Sequence, residues 1–332
     1  MRSATLQPAV VACPKLEAPA PDATILAEHR SQGATSHRPL SLARFQPAPP
    51  TLTAIESLIE EALQASIASA TGPSTPPTLA KALRYAVFPG GGRFRPQLCL
   101  LVAMSESSGG PPHPDAVHAA AAIELLHCAS LVHDDLPCFD DADSRRGRPS
   151  VHRMFGEPLA VLVGDALIVH AFREAAHGPH ADALVKTLSD AAGSLRGIVA
   201  GQAWESEPAV TLDEYHRAKT ASLFEAAAAM GAIAAAGDPG KWRELGEALG
   251  RAYQAADDIA DAIGSAAVIG KPVGQDDAKA RPSLVRSLGL EEARRHLAML
   301  VEHASASATR GGGGQLLDEW LNRVASRVEV FK

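Results

Sequence analysis

Residues 114–147 read PDAVHAAAAIELLHCASLVHDDLPCFDDADSRRG, and the order of its parts decides the fold. The run from Asp115 to Asp135 is rich in alanine and free of internal Gly and Pro, which predicts a helix. Pro137 should bend or end it. Five aspartates then fall within ten positions, at Asp134, Asp135, Asp140, Asp141 and Asp143, and Arg145 and Arg146 follow directly. Two carboxylates ~4 Å apart repel by roughly 4 kcal/mol at an effective dielectric near 20. An acidic residue at a helix C-terminus is also electrostatically unfavourable. A cation must offset both effects. A ligand set made of carboxylates points to Mg²⁺, which bridges carboxylates to phosphate oxygens. The spacing lacks the D-x-D-x-D-G run of a calcium loop. The arginines fit the second half of a phosphate clamp. His127 sits seven residues before Asp134, two helical turns back on nearly the same face.

A second acidic group lies at 252–264, AYQAADDIADAIG. Asp257 and Asp261 are i,i+4 neighbours on one helix face, with Gln254 a turn earlier. No lysine stands at i+4 to neutralise them, and the helix is otherwise alanine-rich. Lys271 and Lys279 follow in the glycine-punctuated stretch IGKPVGQDDAKARPS. Alone, DDxxD is a weak signal. Two aspartate clusters, each followed by basic residues, suit a site of three Mg²⁺ ions around a diphosphate.

The remaining sequence is consistent with an all-α protein. The chain has 332 residues, a net charge of −7 and 46% hydrophobic residues, enough for one large core or two small ones. Aromatics are only 4%, so short side chains should pack the helices closely. The acidic balance and lack of a basic stripe argue against nucleic-acid binding. The four cysteines, Cys13, Cys99, Cys128 and Cys138, form no CxxC pair, which suits a reduced, cytoplasmic protein. No apolar run was expected to reach the ~18 residues of a membrane span, so no membrane anchor is expected. Residues 1–50 are rich in Pro, Ala, Ser and Thr and read as a disordered tail. Glu17, Asp22 and Glu28 weaken a transit-peptide alternative. One domain should occupy 51–332. The pattern predicts helices over 52–70, 77–87, 93–107, 114–134, 150–155, 158–176, 181–203, 211–236, 240–263, 281–287, 290–308 and 314–330, with no internal repeat.

From about Tyr85 to Leu290 the chain resembles the trans-isoprenyl diphosphate synthases, the polyprenyl synthetase family. It is most similar to the bacterial geranylgeranyl diphosphate synthases. The resemblance rests on DDLPCFD, RRGRPSVH, GDAL, GQ, KT, QAADDIAD and GKPVG, in that order. It implies a bundle of helices around a deep central cavity, usually as a homodimer, and a place in isoprenoid (for example carotenoid) biosynthesis. Asp134, Asp135, Asp140, Asp257, Asp258 and Asp261 match the metal-holding aspartates. Arg145, Lys219, Thr220, Gln254 and Lys271 match residues around the allylic diphosphate, and Arg95, His127 and Arg146 those that bind isopentenyl diphosphate. Ala129 and Ser130 match the positions that set product length. An aromatic residue there blocks growth at fifteen carbons in many farnesyl-forming relatives, so two small residues imply twenty. Leu125 and Leu126 are candidates for the tunnel floor.

One departure stands out. The family's GGKRxRP is Gly90-Gly91-Gly92-Arg93-Phe94-Arg95-Pro96 here, so a phosphate-contacting lysine becomes glycine. Backbone N–H groups of a glycine loop can cradle phosphate, and Arg93 is adjacent. The implied reaction is the head-to-tail condensation of isopentenyl diphosphate with an allylic diphosphate. Cation-assisted departure of the allylic diphosphate starts it, and no nucleophilic Ser or Cys is required. Three rivals remain: a farnesyl diphosphate synthase, a non-catalytic subunit of a heteromeric synthase, and a terpene cyclase. A cyclase needs no second diphosphate site, which Arg95, His127 and Arg146 supply.

Overall fold

The computed structural model describes residues 50–107, 110–263 and 282–329, with side chains to Ser326. The expected tail, Lys271 and the loop around it lie outside the described residues.

Helix α1 (Leu52–Ala70) starts at Thr51, whose hydroxyl accepts from the Ala54 amide, as an N-cap should. Then come α2 (Pro77–Val87), α3 (Phe94–Glu106) and α4 (Pro114–Asp134). Pro77 and Pro114 each open a helix where their missing N–H costs nothing. A two-stranded hairpin, β1 (Ser144–Arg145) and β2 (Arg148–Pro149), precedes α5 (Val151–Phe155), α6 (Glu157–Ala175) and α7 (Ala181–Ala192). Helices α8 (Ile198–Ala203) and α9 (Leu212–His216) follow. A π-helical turn, Arg217–Ala221, then runs directly into α10 (Ser222–Ala234). The described chain ends with α11 (Arg243–Ala262), α12 (Leu284–Leu288), α13 (Leu290–Gly311) and α14 (Gln315–Glu329).

The helices pack through small residues. A Cβ on Gly231 would lie 2.2 Å from the Cys99 carbonyl oxygen, so α10 and α3 touch backbone to backbone. Gly246 and Gly250, one turn apart on α11, face Glu225 and Ala221 in the same way. Helix α11 joins two cores. Leu245, Ala248 and Leu249 belong to the main one with α1–α7 and α10. Ala252 to Ala260 form a second with Leu284, Ala293 and Leu297. The carboxylate-bearing end of α11 thus rests on its own small core.

Two expectations need correcting. The single helix over 181–203 is two helices, because Gly193 and Gly197 bracket a non-helical turn. By length and composition α4 could cross a membrane, contrary to the sequence reading. It is instead a core helix, with Ala119 to Leu126 all buried.

Candidate active site

The end of α4 and the loop after it fold back on each other. The Asp140 amide donates to the Asp134 carbonyl (2.9 Å), that of Asp141 to Leu136 (3.0 Å), and that of Ala142 to Asp135 (3.1 Å). These bonds use carbonyls that the helix end would otherwise leave unpaired, and they bring Asp140 back to Asp134. Burial, with Asp140 and Glu205 nearby, holds the Asp134 carboxyl above the usual carboxylate range against the opposing pull of Lys219. Burial raises Asp135 as well.

The RRGRP motif forms a hairpin that distributes its arginines. Arg146 (φ 54°) and Gly147 (φ 74°) are its two loop residues. Positive φ at both is what a two-residue type I′ hairpin loop requires. Arg145, on β1, forks onto Asp135, with Nε 3.0 Å and Nη2 2.5 Å from Oδ1. Arg146 reaches the glycine loop, since a Cβ on Gly91 would meet its guanidinium at 3.0 Å. Arg148 stacks on the Tyr85 ring 3.7 Å from its centroid, and the Tyr85 hydroxyl donates to the Pro149 carbonyl.

A cationic pocket lies beside this hairpin. Arg95, in the first turn of α3, is buried with Nη1 3.4 Å from His127 Nε2. Its guanidinium lies 4.4 Å from the Phe224 ring centroid and 5.5 Å from that of Tyr253. Its Nε meets no acceptor among the described residues. His127 is pushed well below its usual pKa by burial, then by Arg95, Arg146, Arg145 and Arg93. Burial also lowers Arg95. Such a concentration of positive charge is an anion site by its own electrostatics.

Arg93 adds its field to this pocket but directs its own donors elsewhere. With φ 49° it turns inward, donating to Glu60 (2.8 Å), Glu124 (2.6 Å) and the Val87 carbonyl (2.9 Å). Arg93, though adjacent to Gly92, therefore does not take the place of the missing lysine. At Gly92 itself, a Cβ would lie 2.4 Å from the Phe94 ring, and its carbonyl accepts from Gln97 Nε2 (2.9 Å).

The π-helical turn carries the KT pair. π-turns occur often at functional sites because they re-aim side chains within a helix. Gly201 makes room for this one, since a Cβ there would sit 2.4 Å from Lys219 Cα. Lys219 pairs with Glu205, which also accepts from the Tyr215 hydroxyl (2.7 Å). Thr220 donates to Gln254, whose Nε2 donates to Asp258 Oδ1 (2.8 Å). Asp258 Oδ2 accepts from the Leu284 amide (2.7 Å) and lies 3.2 Å from His216 Nε2. Adjacent residues thus reach the two clusters: Lys219 acts on Asp134, and Thr220 links through Gln254 to Asp258.

The six aspartates are not equivalent. Asp135 and Asp258, 2% and 1% exposed, are held by protein donors. These donors orient both carboxylates. With Asp134, Asp140, Asp257 and Asp261 they form an oxygen-only set that fits Mg²⁺. Burial that disfavours the charged Asp134 carboxylate is what a divalent cation would offset. The sequence reading missed the supporting residues Tyr85, Arg148, Tyr215, His216 and Tyr253. Only Arg148 had a signal, in the RRGRP motif. A cleft of about 540 Å³ lined by Arg196, Arg217, Glu225 and Arg243 faces away from Phe224 on α10, and contains none of the site residues.

The polyprenyl synthetase family model matches residues 76–310. Geranylgeranyl diphosphate synthase of Cereibacter sphaeroides is 50% identical over 280 residues, 83% of this chain and 96% of that protein. Its namesake in Rhodobacter capsulatus is 46% identical over 279 residues, 82% and 96% of the two chains. The geranyltransferase of Helicobacter pylori, solved with magnesium and isoprenyl diphosphate, is 30% identical. It superposes with a TM-score of 0.68 over 83% of this chain and 98% of that one.

Proposed function

The chain belongs to the polyprenyl synthetase family, whose members are trans-prenyltransferases, and we propose that it condenses isopentenyl diphosphate with allylic diphosphates to make geranylgeranyl diphosphate. The observation that carries this is the pairing of two opposite fields. An oxygen-only carboxylate set adjoins a pocket where Arg95, His127 and Arg146 converge. A metal-borne diphosphate fits the first, and a bare diphosphate fits the second.

Asp134, Asp135, Asp140, Asp257, Asp258 and Asp261 would hold Mg²⁺, three ions in all. When bound, Mg²⁺ supplies positive charge to a departing diphosphate. Lys219, beside Asp134, adds to that charge, as would Lys271. Arg95, His127 and Arg146 hold the second diphosphate so that its double bond faces the allylic carbon. Proton loss then completes the product.

Exposed Met154, Val161, Leu162 and Val169 on α5 and α6 support a homodimer, since such an apolar face favours a partner. The buried, reduced thiols of Cys99 and Cys128 support a cytoplasmic setting. Burial pushes the Cys128 thiol up to about 11. A Pro/Ala-rich tail ahead of one domain from residue 51 completes the proposal.

The test is product analysis with the purified chain, Mg²⁺, labelled isopentenyl diphosphate and each allylic primer. Twenty-carbon product is expected. Fifteen carbons would indicate a farnesyl diphosphate synthase. The Gly92 departure gives the non-catalytic subunit its one argument, and no turnover by the chain alone would favour it.

A further inference from the structure

A second group of ligand-type side chains lies far from the aspartates. His118 of α4, Glu174 of α6 and His177 just after α6 bring one donor atom each within 4.8 Å of one another. His118 is 16 residues before Asp134, ~24 Å along the helix axis, so this group belongs to the other end of the bundle.

Hydrogen bonds hold both histidines against Glu174. His118 Nδ1 lies 2.7 Å from Glu174 Oε2, and His177 Nδ1 lies 3.2 Å from the Glu174 backbone carbonyl. His118 Nδ1 and Glu174 Oε2 share one proton, whose place a divalent cation can take. With His177 Nδ1 donating to that carbonyl, its Nε2 carries the lone pair. The two rings stack with centroids 4.1 Å apart and planes 4° from parallel, which sets His177 beside that pair. Glu174 is fixed in turn by the Ser66 hydroxyl of α1, 2.6 Å from Oε1.

The local charge favours a cation. Glu174 is 6% exposed. Asp115, one turn before His118, is likewise 6% exposed, and its Oδ2 has no hydrogen-bond partner. That carboxylate abuts the turn carrying His177, since a Cβ on Gly178 would lie 2.2 Å from Asp115 Oδ2. Two buried carboxylates therefore adjoin two imidazoles, and one carboxylate oxygen is unsatisfied.

We propose that His118, Glu174 and His177 form a binding site for a divalent metal ion of the zinc class, tying α4 to the end of α6. Two imidazoles and a carboxylate suit Zn²⁺ and its borderline neighbours, whereas Mg²⁺ prefers oxygen donors throughout. The two sites are thus separated by donor chemistry as well as by distance. Ligand atoms on a tetrahedral zinc lie roughly 3.3 Å apart, so the present separations need to change by about 1.5 Å at most. His177 is exposed and lies outside any helix, which leaves its ring free to tilt out of the stack.

The experiment is Zn²⁺ titration by calorimetry at saturating Mg²⁺, on the full chain and on His177→Asn, His118→Gln and Ser66→Ala. Zinc held at the aspartates or at the exposed Cys138 cancels in the comparison. The wild-type chain should show one site that each histidine variant loses. Ser66→Ala should weaken it by roughly tenfold, as loss of an outer-shell partner does. Thermal midpoints should rise with Zn²⁺ in the wild type and not in the two histidine variants. Co²⁺ in place of Zn²⁺ should give a visible absorption band that His177→Asn lacks. His177→Asn changes an exposed side chain, so it should fold normally and condense substrates at the wild-type rate with Mg²⁺ alone. Equal zinc affinity in the wild type and His177→Asn would overturn the proposal, as would wild-type binding no tighter than millimolar.

Discussion

The carboxylate half of the site and its cationic half are unsatisfied in opposite senses. Burial lifts Asp134 and Asp135 toward their protonated forms, while burial and neighbouring arginines drive His127 toward its neutral form. His127 and Asp134 share one face of α4, about 10.5 Å apart along its axis. A protein left to optimise its own stability would let these charges meet. Here the arginine nearest the aspartates, Arg145, is committed to Asp135, and the remaining charge is kept apart. The separation is what a site for metal-borne and bare diphosphates requires, and it lowers the stability of the empty protein to do so.

The largest test of this contrast lies within the carboxylate half. Asp134→Ala and Asp257→Ala should each reduce turnover by roughly a thousandfold or more, on the scale of losing a major transition-state charge contact, with the fold intact. Asp258→Ala should behave differently. Asp258 accepts from the Leu284 amide and Gln254, so its removal leaves buried donors unpaired at about 1–3 kcal/mol each. Its melting temperature should fall without any substrate present. An unchanged melting temperature in Asp258→Ala would remove its role as an anchor.

That distinction also marks what the sequence could reveal. Helices 52–70, 77–87 and 114–134 were legible because Thr51, Pro77 and Pro114 define where they start. The aspartates, Arg145 and Gln254 stood out through motif spacing, and Lys219 through the family resemblance. Their division of labour did not, because it depends on partners distant in sequence. Nothing at Asp258 announces the amide of Leu284, 26 residues on. Nothing at Arg93 announces Glu60, since its inward turn follows from a positive φ. The break at Gly193–Gly197 is a different failure. The helix expected over 181–203 spans two glycines four apart, and the chain leaves the helix between them.

The cationic half is tested through pH. His127 has its folded pKa lowered, so below about pH 6.5 the unfolded chain takes up a proton that the native one refuses. Stability from this group is therefore full above that pH and declines as pH falls toward the lowered value. Bound isopentenyl diphosphate should reverse the effect by favouring the imidazolium. Calorimetry near pH 6 in buffers of different ionisation enthalpy should show proton uptake on binding, up to about one proton more than in His127→Asn. Identical uptake in both would mean that His127 does not face the diphosphate.

Gly92→Lys asks whether this half has charge enough. The added cation should lower KM for isopentenyl diphosphate several-fold and leave the allylic KM unchanged. Phe94 must rotate to admit the new side chain, because a Cβ meets its ring at 2.4 Å. An unchanged or higher KM would indicate that Arg95, Arg146 and the loop amides already saturate that phosphate.

The smallest effect on rate, and the most visible on product, concerns the helix that joins the two halves. Ala129 and Ser130 were read as a pair lining the path of the growing chain, but α4 places them differently. At ~100° per residue, Ser130 lies about 40° from Asp134 around the helix, on the site face. It is half-buried, and its hydroxyl donates to the His127 carbonyl at 2.8 Å. Ala129 lies roughly 140° from Asp134 and only about 40° from His133. His133 packs on Gly164 of α6, where a Cβ would come within 2.0 Å of its ring. Ala129, 1% exposed, therefore faces the α4–α6 seam. A growing tail that passes between those helices must pass Ala129, whereas one that stays on the site face meets Ser130 first. Ala129→Phe should shift the main product from twenty to fifteen carbons. It should also lower stability by about 1–3 kcal/mol, the usual cost of overfilling a packed position. Ser130→Phe, at a half-buried position, should shift the product with little loss of stability. A twenty-carbon product from both variants would show that neither position limits growth. A fifteen-carbon product from Ser130→Phe alone would place the path on the face that Asp134 shares with His127.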